Sequence, residues 1–346
     1  MTIMQSPLPT EAFPSSFAMV MATGIVSMAL HLLGHDVAAR ALFALNLAAY
    51  ALLWAAGAWR VARRGHDVLT ELADHVRGPQ FLTIVAATNV LGVQCARLTQ
   101  WNTAAAVLWI FGVAVWALLI YGFFAMVTVS STKPTLQQGL GGSWLLVTVS
   151  TESVSLLGTL VAPQFARPDG VLFASLAFFL AGGMLYILVI ALMFFRWMFL
   201  PMHAHTLTPP SWINMGAVAI TSLAGARLLE AAPGDSFVAG IAPFLGGFTL
   251  FFWATATWWI LLLVLVFSWR RLQQRTPVHY DPQYLSMVFP LGTYSVATWI
   301  YAESARLLFL LPLARAFGYV AAATWVLTLV GMLHRTSRRG FAYRSP

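Results

Sequence analysis

The sequence predicts an all-α integral membrane protein, with ten transmembrane helices paired as five helical hairpins, the odd helices forming an inner pore ring and the even helices an outer ring. Three observations carry this. Of 346 residues, 60% are hydrophobic and 9% charged, with 24 Phe and 14 Trp, which is far too apolar for a soluble domain. Ten stretches reach the roughly 20 mostly apolar residues that a membrane helix needs. Alternate stretches open near a proline, and three of those close on the tripeptide Ala-Arg-Leu. Lipid offers backbone groups no water, so continuous apolar runs of this length form helices rather than barrel strands.

Each element has its own signal. Span 14–33 opens on Phe13-Pro14 and carries His31 where the arginine would fall. It lacks the basic start and small-residue cleavage site of a signal peptide. Span 38–60 runs into Arg60, Arg63 and Arg64, and span 78–98 leads from Pro79 to Ala96-Arg97-Leu98. Span 103–127 is plainly apolar from Ala105 to Trp116. Span 142–162 breaks the pattern, opening on Gly139, Gly141 and Gly142 and lacking the terminal arginine. Span 170–195 ends at Arg196, and span 210–230 leads from Pro209-Pro210 to Ala226-Arg227-Leu228. Span 237–269 is long enough to include an interfacial extension and meets Arg270, Arg271 and Arg275. Span 283–306 holds Phe289-Pro290 several residues inside, where proline should kink it, and ends at Ala305-Arg306-Leu307. Span 313–333 runs into Arg335, Arg338 and Arg339. The openings Pro14, Pro79, Gly142, Pro210 and Pro290 are 65, 63, 68 and 80 residues apart, a period that holds two spans and two loops. The interval Arg60 to Arg77 reads as a cytoplasmic loop, and residues 1–346 as a single membrane transport domain.

Basic residues set the orientation. Thirteen of the 19 Lys and Arg lie on the side where even spans end, Arg77, Lys133 and Arg344 among them, which places both termini in the cytoplasm of a multi-pass inner (plasma) membrane protein. Topology accounts for most of the net charge of +8, so no nucleic-acid partner is implied. The single cysteine, Cys95, excludes an intrachain disulfide and a cysteine metal cluster. The only lysine is in a loop, which rules out a retinal Schiff base within a span. Only His31 of eight histidines falls plausibly within a span, which argues against bis-histidine haem, and His203 and His205 alone do not close a metal site. No phosphate-binding loop is present, and neither a cofactor nor a metal is expected.

Odd spans concentrate hydroxyls and amides, with glycines that permit close helix approach. Thr23, Ser27 and His31 form one line up the first helix, while Thr148, Thr151, Glu152, Ser155 and Thr159 share a face of the fifth. With Asn89, Asn214 and Thr293, the residues Thr23, Ser27, Thr148, Glu152 and Ser155 are the candidate pore lining, since donated hydrogen bonds replace part of an anion's hydration shell. Any one hydroxyl has a plainer reading, a bond to the carbonyl one turn back or glue between helices. Glu152 lies about ten residues into its span, roughly 15 Å along a helix and so near mid-membrane. A carboxyl there is costly, and it reads either as a proton-coupling or selectivity residue or as a neutral or paired packing residue. Arg97, Arg227 and Arg306, near Glu230 and Glu303, suggest an outer vestibule that concentrates anions, or else snorkelling arginines in local ion pairs.

The motifs Phe13-Pro-Ser-Ser-Phe-Ala-Met-Val-Met-Ala-Thr-Gly-Ile25, Pro210-Ser-Trp-Ile-Asn-Met-Gly216 and Met287-Val-Phe-Pro-Leu-Gly-Thr-Tyr-Ser-Val-Ala-Thr298 resemble the tellurite-resistance/dicarboxylate transporter family. That family includes a bacterial tellurite-resistance protein, a fungal malate permease and sulfite pump, and the plant slow anion channel. The resemblance spans essentially the whole chain. It implies ten helices in five hairpins, odd helices lining a pore in each subunit, homotrimers, and a phenylalanine on the ninth helix that occludes the pore, for which Phe289 fits best. The expected function is a channel or transporter for small anions such as C4-dicarboxylates, sulfite or inorganic monovalent anions. A proton-coupled exporter using Glu152 is the first alternative. A membrane enzyme is a second, for which the sequence offers no clustered nucleophile, base or metal.

Overall fold

The structure, a computed structural model, describes residues 14–202, 207–231, 237–274 and 284–342. His203, His205, Arg275 and Arg344 lie outside these. The described residues form helices and turns with no strand. The ten longest helices are α1 (Phe17–Leu32), α2 (Asp36–Leu72), α3 (Thr83–Leu98), α4 (Asn102–Val129), α5 (Leu146–Val161), α6 (Pro168–Phe199), α7 (Ile213–Ala231), α8 (Ala242–Gln274), α9 (Leu285–Ser304) and α10 (Leu311–Ala342). Eight helical segments are long and apolar enough to cross a membrane. They correspond to α2 to α8 and to α10 as far as His334, whereas α1 is apolar but shorter.

The proline openings have a local cause. Gly78–Leu82 and Pro209–Trp212 are 3-10 turns with proline in the first two positions, leading directly into α3 and α7. Proline is preorganised there, and its missing N–H would have had no partner at a helix start. Gly142–Leu145 forms the same lead-in to α5 without proline. In α9, by contrast, Pro290 is the sixth residue and lies within the helix.

The repeated Ala-Arg-Leu tripeptide does not hold one structural position. Arg97 and Arg227 sit within α3 and α7, but Arg306 follows the end of α9 with φ of 58°, in the left-handed region. Leu307 N–H returns to the Ala302 carbonyl at 2.8 Å, a Schellman-type stop, and Gly34 at φ 83° ends α1 in the same way with His35 N–H on Leu30.

Packing separates the helices into two layers. α1 packs on α3, α3 on α5, α5 on α7, α7 on α9, and α9 returns to α1, so the odd helices close a ring. Each even helix packs outside, against its preceding odd helix and the next one around. The apolar window of the segment containing α5 is 94% buried, against 22% for that of α2, which is what an inner and an outer layer require. Leu52, Leu118, Leu261 and Leu327, each about 70% exposed, project from α2, α4, α8 and α10 as an apolar outer face. Close approach within the ring needs glycine. A Cβ on Gly292 of α9 would stand 2.8 Å from Ile25 Cγ2 of α1, and one on Gly92 of α3 would strike Leu157 of α5.

The interval expected to be a loop is largely helical. α2 breaks at Arg64 (φ −141°, ψ 42°) and continues to Leu72. Arg60, buried despite its charge, donates to both oxygens of Glu71 at 2.8 and 3.0 Å, and Arg77 adds a third contact at 3.3 Å. The apolar-run criterion misses this segment because an amphipathic, charged helix at the membrane edge has no continuous run. Glu71→Ala should cost about 3 kcal/mol, since it removes the carboxylate that a buried guanidinium pairs with. Thermal unfolding in detergent would show it as a lowered midpoint, and an unchanged midpoint would mean that Arg60 finds water.

Candidate functional site

Contacts fix which side of α9 faces the ring's axis. Pro290 packs against Gly216 of α7, and Gly292 against Ile25 of α1. Tyr294 bonds Thr257 of α8 at 2.8 Å, Thr298 accepts from Trp253 of α8 at 3.0 Å, and Ser295 donates to the Ala314 carbonyl of α10 at 2.8 Å. At about 100° per residue these positions fill an arc of about 200°. The remaining sector carries Phe289, Thr293, Val296 and Ile300, which therefore point toward the axis. Phe289 is 4% exposed, and the Thr293 hydroxyl donates to the Phe289 carbonyl at 2.8 Å.

The same reasoning turns most of the other expected lining residues toward the seams between helices. Thr23 accepts from Trp325 of α10 at 3.0 Å, and Ser27 donates to the Ala39 carbonyl of α2 at 2.7 Å. The opposite face of α1 presents Met21, Ile25 and Met28. His31 pairs with Asp36 at 2.6 Å across the turn into α2. Asn89 donates to Ser153 of α5 at 3.1 Å, and Ser155 to the Ser175 carbonyl of α6 at 2.7 Å. On α5, Val149 and Leu156 occupy the sector between the α3 and α7 contacts. Thr148 and Asn214 are fully buried, and their side-chain polar atoms have no hydrogen-bond partner.

A bond repeated around the ring explains these orientations. An aromatic donor on an even helix meets a threonine eight or nine residues past the repeat opening of the next odd span: Trp325 to Thr23, Tyr50 with Thr88 (2.8 Å), Trp116 to Thr151 (2.9 Å) and Trp253 to Thr298. Sequence reading missed this girdle. Its signal was there, in threonines eight or nine residues past the repeat openings. The α6–α7 seam departs from it, for Tyr186 donates instead to the Asn214 backbone carbonyl at 3.3 Å.

Glu152 lies at that seam. It is fully buried, its carboxyl fits against Gly182 of α6, where a Cβ would strike it, and Thr221 of α7 lies beside it. At the ends of α3 and α7, Arg227 bonds Glu230 at 2.6 Å, and Arg97 lies within electrostatic reach of both. α3 and α7 flank α5 in the ring, so the two arginines converge across its mouth. Arg306 lies past the end of α9 in the left-handed region, and Glu303 accepts from Trp299 at 2.8 Å.

The sequence has counterparts among known proteins. The family model described as voltage-dependent anion channel matches residues 12–333. The chain belongs to this family. An uncharacterized membrane protein of Mycobacterium tuberculosis is 37% identical over 150 residues, 43% of this chain and 76% of that protein. An uncharacterized transporter of Methanocaldococcus jannaschii is 22% identical over 289 residues, 81% of each. The anion channel family places the protein among membrane channels and transporters rather than enzymes, in agreement with its apolar helices. For a family member, paired arginines at a ring mouth have a direct test. Arg97→Ala and Arg227→Ala should each lower anion flux several-fold in dilute buffer. The deficit should fade as salt rises from about 0.01 to 1 M, where the Debye length falls from about 30 to 3 Å. A deficit indifferent to salt would assign these arginines to structure.

Proposed function

We propose that all ten long helices cross the inner (plasma) membrane as five hairpins with both termini cytoplasmic, and that small anions pass along the axis of the odd-helix ring. Phe289 blocks that path in the conformation described. The carried species are small anions such as C4-dicarboxylates, sulfite or inorganic monovalent anions, and the chain assembles as a homotrimer through its apolar outer face. The single observation that supports this most is the placement of Phe289 in the one sector of α9 left free by its contacts with α7, α8, α10 and α1.

The proposed path differs in character from a hydroxyl-lined one. Its walls are mostly apolar at Met21, Ile25, Val149, Leu156, Val296 and Ile300, with Thr293 supplying a hydroxyl beside Phe289. An apolar constriction excludes ions by dewetting, so widening it at one aromatic would admit water and the ion together. Arg97 and Arg227 raise the local anion concentration at the mouth. The test is flux of malate, sulfite, chloride and nitrate into proteoliposomes, read against liposomes lacking protein. Selective flux of at least one supports the reading. No flux of any, in wild type and in Phe289→Ala alike, overturns it.

A further inference from the structure

We propose that the seam between α5, α6 and α7 is an internal proton site, centred on the Glu152 carboxyl and hydrated alongside Thr148 and Asn214 toward the end where α5 and α7 begin. It rests on the transport reading only for its use, which is to move a proton with or against the anion.

Five fully buried polar atoms lack any hydrogen-bond partner here: both oxygens of Glu152, the Thr148 hydroxyl, and the oxygen and nitrogen of the Asn214 amide. They fall in register. Thr148 is one turn before Glu152 on the same face of α5, and Asn214 is two turns before Thr221 on the same face of α7. α6 confirms the levels, since Gly182 meets the Glu152 carboxyl and Tyr186, one turn further along, reaches the Asn214 carbonyl. A buried polar atom left unpaired is costly, and water is its usual partner where several such atoms line one seam.

The Thr221 hydroxyl donates to the Ala217 carbonyl at 2.8 Å, so its proton is not free for Glu152. Tyr186 is the ionisable group facing this stretch, and its hydroxyl accepts from Trp259 at 2.9 Å. The charged residues on the packed helices lie farther along: Arg97 on α3, Arg227 and Glu230 six and nine residues past Thr221, and Arg196 and Asp169 fourteen and thirteen residues from Gly182, with none on α4. No cation therefore pairs with the carboxylate at this level among the described residues. The exchange step is simple. A hydronium in the seam gives one proton to the carboxylate and becomes water, and the reverse step returns it, with only O–H bonds made and broken.

Infrared difference spectra of the protein in lipid test the site without any transport. A protonated-carboxyl band absent from Glu152→Gln should shift within minutes of transfer to heavy water. In Asn214→Leu that exchange should be several-fold slower. A band that resists exchange, or no such band in the wild type, overturns the proposal. Proteoliposomes holding a pH-sensitive dye test the coupling. An imposed malate or sulfite gradient should move protons in the wild type and in Glu152→Asp, and the protons moved per anion should fall to background in Glu152→Gln. An unaltered ratio in Glu152→Gln removes the coupling. Absent anion flux counts against the transport reading, and the infrared result stands apart from it.

Discussion

Phe289→Ala should raise anion flux through proteoliposomes by about tenfold or more, the change that about 1.4 kcal/mol of barrier represents. The phenyl ring occupies the axis-facing sector of α9, and alanine would leave that sector open beside Thr293. Phe289→Leu should fall between the two, since leucine keeps an apolar obstruction but not a planar one. Val296→Ala, two turns away on the same face, should change flux much less. Loss of a buried phenylalanine also costs about 3–5 kcal/mol where the surroundings cannot collapse. The flux must therefore be normalised to folded, monodisperse protein. Equal flux in wild type and Phe289→Ala would sink the gate assignment.

Gly292→Val should unfold or disassemble the ring more readily than any surface substitution. A Cβ at this position already stands 2.8 Å from Ile25 Cγ2, with the α1 backbone behind it at 3.7 Å, and valine adds two methyl groups. Overpacking of this kind costs about 1–3 kcal/mol, and more when backbone blocks the retreat. The sharper measurement is the pair Gly292→Ala with Ile25→Ala. If the α9–α1 seam is as drawn, the double variant should be more stable than the sum of the singles implies, because the second change makes room for the first. Additive effects would place the clash elsewhere.

The general plan was legible because it depends on composition and periodicity. Ten apolar runs and their alternation in polarity survive as helices and layers, and the openings at Pro79 and Pro209-Pro210 as 3-10 turns. The lining was not, and the reason is rotational. Thr23 and Ser27 do form one line up α1, as spacing requires, but spacing cannot say which way the line faces. Trp325 and the Ala39 carbonyl, remote or on the next helix, decide that it faces outward. The third arginine departs from the repeat for a related reason. Ala-Arg-Leu recurs in sequence, yet a left-handed stop at Arg306 puts the third copy beyond its helix while the other two remain inside theirs. Glu152 was conspicuous as a carboxyl among apolar residues. That it lies at the seam that departs from the girdle could be seen only once Tyr50, Trp116, Trp253 and Trp325 had been placed against their threonines.

The contact of α9 and α10 with α1 has a consequence for how the chain is built. These helices are separated by most of the sequence, so the final seam is the most non-local in the molecule and the slowest kind to form. In the five-hairpin topology proposed above, until the last hairpin is made the polar flanks of α1 have no Trp325 to receive them, and four hairpins present an open, partly polar edge to lipid. Membrane insertion would therefore yield a crescent that is an obligatory intermediate, vulnerable to quality control, and substitutions near Ile25 or Trp325 would reduce yield in the cell more than they reduce the stability of the finished ring.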